Sequence, residues 1–243
     1  MHFALPAIAI LALTATAACA APTTLHFPSG AKVLTVMRWA ADGPGRHPVV
    51  ILLYGSAGPD LILSDPQYRR YPEMLSRAGF TVFMPYYFDR TGTKPHQDYS
   101  PEQFAIWVQT VRDTVKWTAA RNDVQPNRIA LAGLSLGAFL GLAVGTEEPR
   151  LAALAECYGG MPDAYRDRVK TMPPTLILHG QKDVLVGVEE AHKLERLFSE
   201  RKVAFETHIY PEQNHGFMDG DGEDSARRMI AFFRERMKLH PPD

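Results

Sequence analysis

Three residues of this chain are of the type and spacing that acyl transfer requires. Ser135 sits at the centre of Gly133-Leu134-Ser135-Leu136-Gly137. A serine hydroxyl is a weak nucleophile unless a base takes its proton and a third group orients that base. His215, in Pro211-Glu-Gln-Asn-His215-Gly-Phe217, and Asp183, in His179-Gly-Gln-Lys-Asp183, are the candidates for base and acid. Flanking glycines allow the sharp strand-to-helix turn that lifts a serine Oγ out of the backbone. The N–H of Leu136, at the start of the following helix, then faces the charge that develops on the substrate oxygen. The N–H of Ser56, in Tyr54-Gly-Ser-Ala-Gly58, is the expected second donor.

The elements that must position these residues are legible as hydrophobic patterns. Pro48–Tyr54, Phe80–Pro85, Ile129–Gly133, Leu151–Tyr158, Thr175–His179 and Phe205–Tyr210 are short apolar or β-rich runs, as strands buried on both faces are. Lys32–Ala40 alternates loosely and predicts an antiparallel edge strand. Between the runs lie helical patterns. Phe104, Trp107, Val108, Val111 and Val115 recur at spacings of three and four behind Ser100-Pro101, a good helix start. Ala226, Met229, Ile230, Phe233 and Met237 mark one face of a last helix. Strand and helix alternate from about Pro48 onward, which predicts an α/β fold with a mostly parallel, doubly wound sheet. Ligands bind such sheets at the carboxyl ends of the strands. Asp183 and His215 each follow a strand end, in the order serine, acid, histidine that the α/β-hydrolase fold uses.

Rival residues read differently. His179 precedes the acid and reads as a buried, satisfied histidine. His192 and His208 fall inside a helix and a strand, and Asp163 and Asp167 in a polar loop. Asp219-Gly-Asp-Gly-Glu-Asp224 resembles a calcium loop but lacks the glycine and glutamate an EF-hand needs at its sixth and twelfth positions. It reads as a solvated loop before the last helix, and no metal site is expected. Cys157 reads as a structural thiol.

The 243 residues suit one domain, 46% of them hydrophobic, with a net charge of −1. Nothing in that balance points to nucleic acid or an anionic membrane. Residues 1–20 carry an uncharged, Ala-rich run ending in Ala18-Cys-Ala20, which predicts a secretory signal cleaved before Ala21 and an exported protein, periplasmic or secreted. Lipidation of Cys19 is the weaker alternative, since Thr16 stands where a lipobox has leucine. Without the signal Cys157 is unpaired, no second apolar span follows, and residues 21–243 form the expected domain.

Taken in order, the segments YGSAG, FMPYYFDR, GLSLG, HGQKD and YPEQNHGF resemble the dienelactone hydrolase family of the α/β-hydrolases, over about Thr24 to Lys238. The resemblance implies a compact monomeric hydrolase with no large cap, no metal and no organic cofactor, acting on a small ester or lactone. It also implies that Arg90 contacts a substrate carboxylate; Tyr54, Tyr86 and Tyr87 are expected to wall the same pocket. The chain departs from the family in three places. Ser135 replaces the nucleophilic cysteine, Gly55 stands near the place of an activating glutamate, and Asp219 replaces a second carboxylate-binding arginine. A serine-nucleophile esterase or lactonase fits these departures best. A peptidase or acyl-aminoacyl hydrolase with the same triad, and an inactive hydrolase fold used for binding, are the competing expectations.

Overall fold

The computed structural model describes residues 21–239; the expected signal segment lies outside them. Eight strands form one sheet: β1 (Thr23–Ser29), β2 (Lys32–Trp39), β3 (His47–Leu53), β4 (Thr81–Pro85), β5 (Val124–Leu134), β6 (Leu151–Cys157), β7 (Thr175–Gly180) and β8 (Phe205–Tyr210). Their spatial order is β1-β2-β4-β3-β5-β6-β7-β8. β1 and β2 pair antiparallel, as do β2 and β4, and every later pairing is parallel. Seven helices connect and cover it: α1 (Pro59–Ser64), α2 (Pro66–Arg77), α3 (Pro101–Ala119), α4 (Leu136–Gly145), α5 (Asp163–Arg166), α6 (Glu189–Arg201) and α7 (Asp219–Arg236).

The central strands are buried because their sequences leave no polar face. Every residue from Pro48 to Leu53 and from Ile129 to Leu134 is inaccessible to solvent, or nearly so. Two layers of helix close over them. On α3 the predicted stripe of Phe104, Trp107, Val108, Val111 and Val115 is buried. Its start is a capping box: the Gln103 N–H donates to Ser100 Oγ at 3.2 Å, and the Ser100 N–H donates back to Gln103 Oε1 at 2.9 Å. On α7, Ala226, Met229 and Phe233 are buried while Ile230 is half-exposed.

Three expectations change. Lys32–Ala40 is antiparallel but does not form the edge, since β1 pairs along its outer side over the full register from Thr23 to Ser29. The polar Thr-Thr-Leu-His-Phe-Pro-Ser run conceals β1, because an edge strand need bury only part of one face. The Asp219–Asp224 segment is the first turn and a half of α7 rather than a loop. Its carboxylates at Asp219 and Asp221 stand where the helix dipole favours negative charge. Asp163 starts the short helix α5 instead of lying in a loop.

Candidate active site

The site is assembled at the carboxyl ends of β3, β5, β7 and β8. β5 ends at Leu134 and α4 begins at Leu136, so Ser135 alone makes the turn between them. Its φ of 53° and ψ of −119° are rarely adopted by a residue with a side chain. The Ser135 N–H donates to the Cys157 carbonyl at 3.0 Å, tying the turn to β6. The two glycines are required by close approach. A Cβ on Gly133 would lie 2.3 Å from the Gly137 carbonyl oxygen, and one on Gly137 would lie 2.2 Å from that of Leu53.

Ser135, His215 and Asp183 form one hydrogen-bonded chain. Ser135 Oγ lies 2.8 Å from His215 Nε2, and His215 Nδ1 lies 2.8 Å from Asp183 Oδ2. With the carboxylate as acceptor, Nδ1–H donates to Asp183 and Nε2 is left to accept the serine proton. The Asp183 carboxylate is fully shielded from solvent. Its second oxygen, Oδ1, accepts the N–H groups of Leu185 at 2.9 Å and Val186 at 2.8 Å.

The loops carrying Asp183 and His215 are zipped together. The Gln181 N–H donates to Tyr210 and the Lys182 N–H to Gln213, each at 2.9 Å. Asn214 Oδ1 accepts from the Val184 N–H at 3.0 Å and the His215 N–H at 2.7 Å.

His179 is buried beside Asp183. Its Nε2 donates to the Val186 carbonyl at 2.8 Å, while Nδ1 has no partner among the described residues, so it is only half satisfied. Burial holds its pKa below the usual histidine range, which keeps it neutral beside Asp183.

The expected oxyanion donors, the N–H groups of Ser56 and Leu136, belong to the two segments that flank Ser135. The Gly55 backbone comes so close that a Cβ there would lie 3.2 Å from Ser135 Cβ. Among the described residues neither the Ser56 nor the Leu136 N–H is donated to a protein acceptor. Ser56 lines a cavity of about 310 Å³, walled by Leu61, Ile62, Tyr68, His96, Tyr158 and Leu185 with Ser135 and His215; Leu136 does not line it. The segment carrying His96 is held over the oxyanion loop by its N–H, which donates to the Ser56 carbonyl at 2.8 Å.

The expected substrate-contacting side chains do not line this cavity. Tyr54 and Tyr87 are fully buried and stacked, with centroids 4.2 Å apart. Their hydroxyls are committed: that of Tyr54 accepts the Phe88 N–H, and that of Tyr87 donates to the Tyr54 carbonyl at 2.6 Å. Tyr86 is half-buried, edge-on to Tyr54. Arg90 turns toward the β1–β2 hairpin, its guanidinium over Gly30, where a Cβ would collide with it. A 3-10 turn over Tyr87–Arg90 rotates these side chains away from the strand end.

Two polar residues beside the site, Glu156 and Tyr158, were concealed in the apolar run Leu151–Tyr158. Tyr158, at φ 44°, packs its ring edge-on to His215 at 4.9 Å. Its hydroxyl is buried without a partner among the described residues, and burial pushes its pKa well above the usual tyrosine range. Cys157, equally buried, has its thiol pKa pushed up first by burial and then by neighbouring Glu156. It is therefore a thiol rather than a thiolate nucleophile.

Glu156 is fully buried, and its Oε2 accepts the Gly159 N–H at 3.0 Å while Oε1 has no partner among the described residues. Burial pushes its pKa from 4.5 up to about 8, so the carboxyl carries a proton at neutral pH. The folded chain thus keeps a proton that the unfolded chain releases. That contribution is complete below about pH 4.5 and is lost as pH rises toward about 8. Glu156→Gln is expected to flatten this pH dependence by a few kcal/mol. Urea denaturation of both proteins at about pH 5 and about pH 8 measures it; parallel slopes would show that Glu156 is ionised when folded.

A mostly parallel sheet, helices on both faces and a serine on a strained strand-to-helix turn define an α/β-hydrolase. No large cap covers the site among the described residues. The family profile of the dienelactone hydrolases matches residues 35–235. The chain belongs to the dienelactone hydrolase family, and it is a hydrolase. It is 26% identical over 182 residues to a carboxymethylenebutenolidase homolog from Xenopus tropicalis, covering 71% of this chain and 73% of that protein. The structure of Est1E from Butyrivibrio proteoclasticus superposes with a TM-score of 0.70 at 15% identity, over 88% of this chain and 99% of that one. The acylaminoacyl peptidase of Pyrococcus horikoshii gives a TM-score of 0.73 at 13% identity, over 93% of this chain but 43% of the peptidase. At such identities the two structural likenesses speak for the fold alone.

Proposed function

We propose that this protein is a serine esterase or lactonase that works through an acyl-enzyme on Ser135. The observation that carries the reading is the continuous chain from Ser135 Oγ through His215 to Asp183, 2.8 Å at each link, opening into a cavity.

In this reading His215 Nε2 takes the hydroxyl proton as Ser135 Oγ bonds to the acyl carbon. The carbonyl electron pair moves onto oxygen, which the N–H groups of Ser56 and Leu136 hold. When the intermediate collapses, the bond to the leaving oxygen breaks and His215 returns the proton to it. Water then repeats the sequence on the acyl-enzyme, His215 taking its proton and restoring it to Ser135. Asp183 fixes the imidazole tautomer and stabilises the transient imidazolium.

Peptidase chemistry needs the same groups, and the fold shared with an acylaminoacyl peptidase keeps that reading in view. A fluorophosphonate probe combined with matched panels of esters, lactones and aminoacyl amides separates the cases. Probe labelling at Ser135 with turnover of esters or lactones is the expected result. Turnover of amides alone would assign a peptidase; neither labelling nor turnover would leave a binding module. Export after cleavage before Ala21 belongs to the same proposal, supported by the sequence of residues 1–20.

A further inference from the structure

A second cleft, of about 790 Å³, opens on the far side of Leu185 and Val186. These two residues line both it and the catalytic cavity, so a single wall separates them. The wall is fixed, because both N–H groups are held by Asp183 Oδ1. The cleft is built from Tyr99, Phe104, Phe139 and Tyr165 on the opposite sides. Tyr99 stacks against Phe104 with centroids 6.2 Å apart, and Tyr165 meets Phe104 edge-on at 6.1 Å. Apolar side chains are left open to water here: Leu185 is 74% exposed and Tyr99 45%. Apolar surface concentrated beside a reactive centre marks a ligand-binding surface.

The charges in the cleft are neutralised by one another or by close neighbours. Arg166 pairs with Asp163 at 3.3 Å, Arg168 with Glu147 at 3.1 Å, and Lys193 with Glu190 at 2.5 Å. No cation in it is left over for a substrate carboxylate among the described residues. A cavity of about 150 Å³ admits a benzene ring, so this cleft admits a fused or extended aromatic group.

Resting on the esterase reading above, we propose that the cleft is a specificity subsite for a bulky, uncharged aromatic arm of the substrate. The ester group lies in the smaller cavity, and the arm passes over Leu185. The preferred substrate is therefore a neutral aryl-bearing ester rather than a small anionic lactone.

The test measures kcat/KM on two series of neutral esters. One varies the acyl group from acetyl to naphthylacetyl with a fixed leaving group. The other keeps acetyl and varies the alcohol from ethanol to naphthylmethanol. In one series the wild type is expected to prefer the bulky ester by about tenfold or more. Ala105→Trp, at an exposed position of α3 on the cleft, is expected to cut that bulky-to-small ratio about tenfold, chiefly through KM. Tyr99→Ser serves as the second variant and should lower the ratio in the same direction; thermal unfolding confirms that each is folded. No bulky preference in either series, or a ratio unmoved by both variants, would overturn the subsite. So would a bulky preference that is greater for an anionic arm than for its neutral analogue. Failure to turn over any ester would instead strike at the esterase reading itself.

Discussion

Ser135→Ala is expected to lower ester turnover by about 10⁴-fold or more while leaving the fold intact. His215→Ala should have an effect of the same order, and a double variant should be scarcely worse than either, because serine and histidine act as one unit. The physical reason lies in the chain of hydrogen bonds: without Nε2 poised 2.8 Å from Oγ, the hydroxyl keeps its proton and the carbonyl is not attacked. Asp183→Asn should also be severe. An amide cannot serve as acceptor at both positions, so either the imidazole loses its orientation or the Leu185 and Val186 N–H groups lose theirs. Steady-state kinetics, with circular dichroism as the folding control, check the three variants. Full activity in Ser135→Ala would exclude the acyl-enzyme on that residue.

Gly137→Ala is expected to be the more damaging to structure. Its new Cβ would lie 2.2 Å from the Leu53 carbonyl oxygen and 2.6 Å from that of Tyr54. Both neighbours are backbone, at the buried end of β3, so no flexible side chain can move aside. Helix α4 would have to lift off the sheet, at a cost on the order of 3 kcal/mol or more. Gly141, on the same helix, is a useful control, since a Cβ there finds ordinary contacts at 3.8 Å. Chemical denaturation should show Gly137→Ala strongly destabilised and Gly141→Ala close to wild type. Equal stabilities would mean that α4 is not seated on β3 as described.

The sequence was informative where one physical requirement dominated. Strands buried on both faces must be apolar throughout, so β3 to β7 stand out, and the loops after β7 and β8 could be searched for an acid and a base. Where requirements compete, the reading failed. β1 is half-solvated and its residues obey no strict alternation. The side chains after β4 were placed on the pocket because their strand ends at the catalytic face. Yet the 3-10 turn sends Tyr87 into the core and Arg90 toward Gly30, and a position in sequence does not specify which way a side chain turns. Glu156 was invisible for the opposite reason. In Leu-Ala-Ala-Leu-Ala-Glu-Cys it reads as an interruption of an apolar run, and only the enclosed position beside the Ser135 turn makes it a protonated acid.

Asp183 divides its two oxygens between different tasks: one steers the imidazole, the other pins the stretch of backbone from which Leu185 projects. Along that border, selectivity is mechanically coupled to reactivity, so a change that reshapes the wall also disturbs the acid. The opposite bank, made by α3 and the segment around Tyr99, makes no hydrogen bond to Asp183 or His215 among the described residues. New substrate ranges in this lineage should therefore arise by drift on that bank, where a side chain can be enlarged or trimmed while the proton relay remains undisturbed.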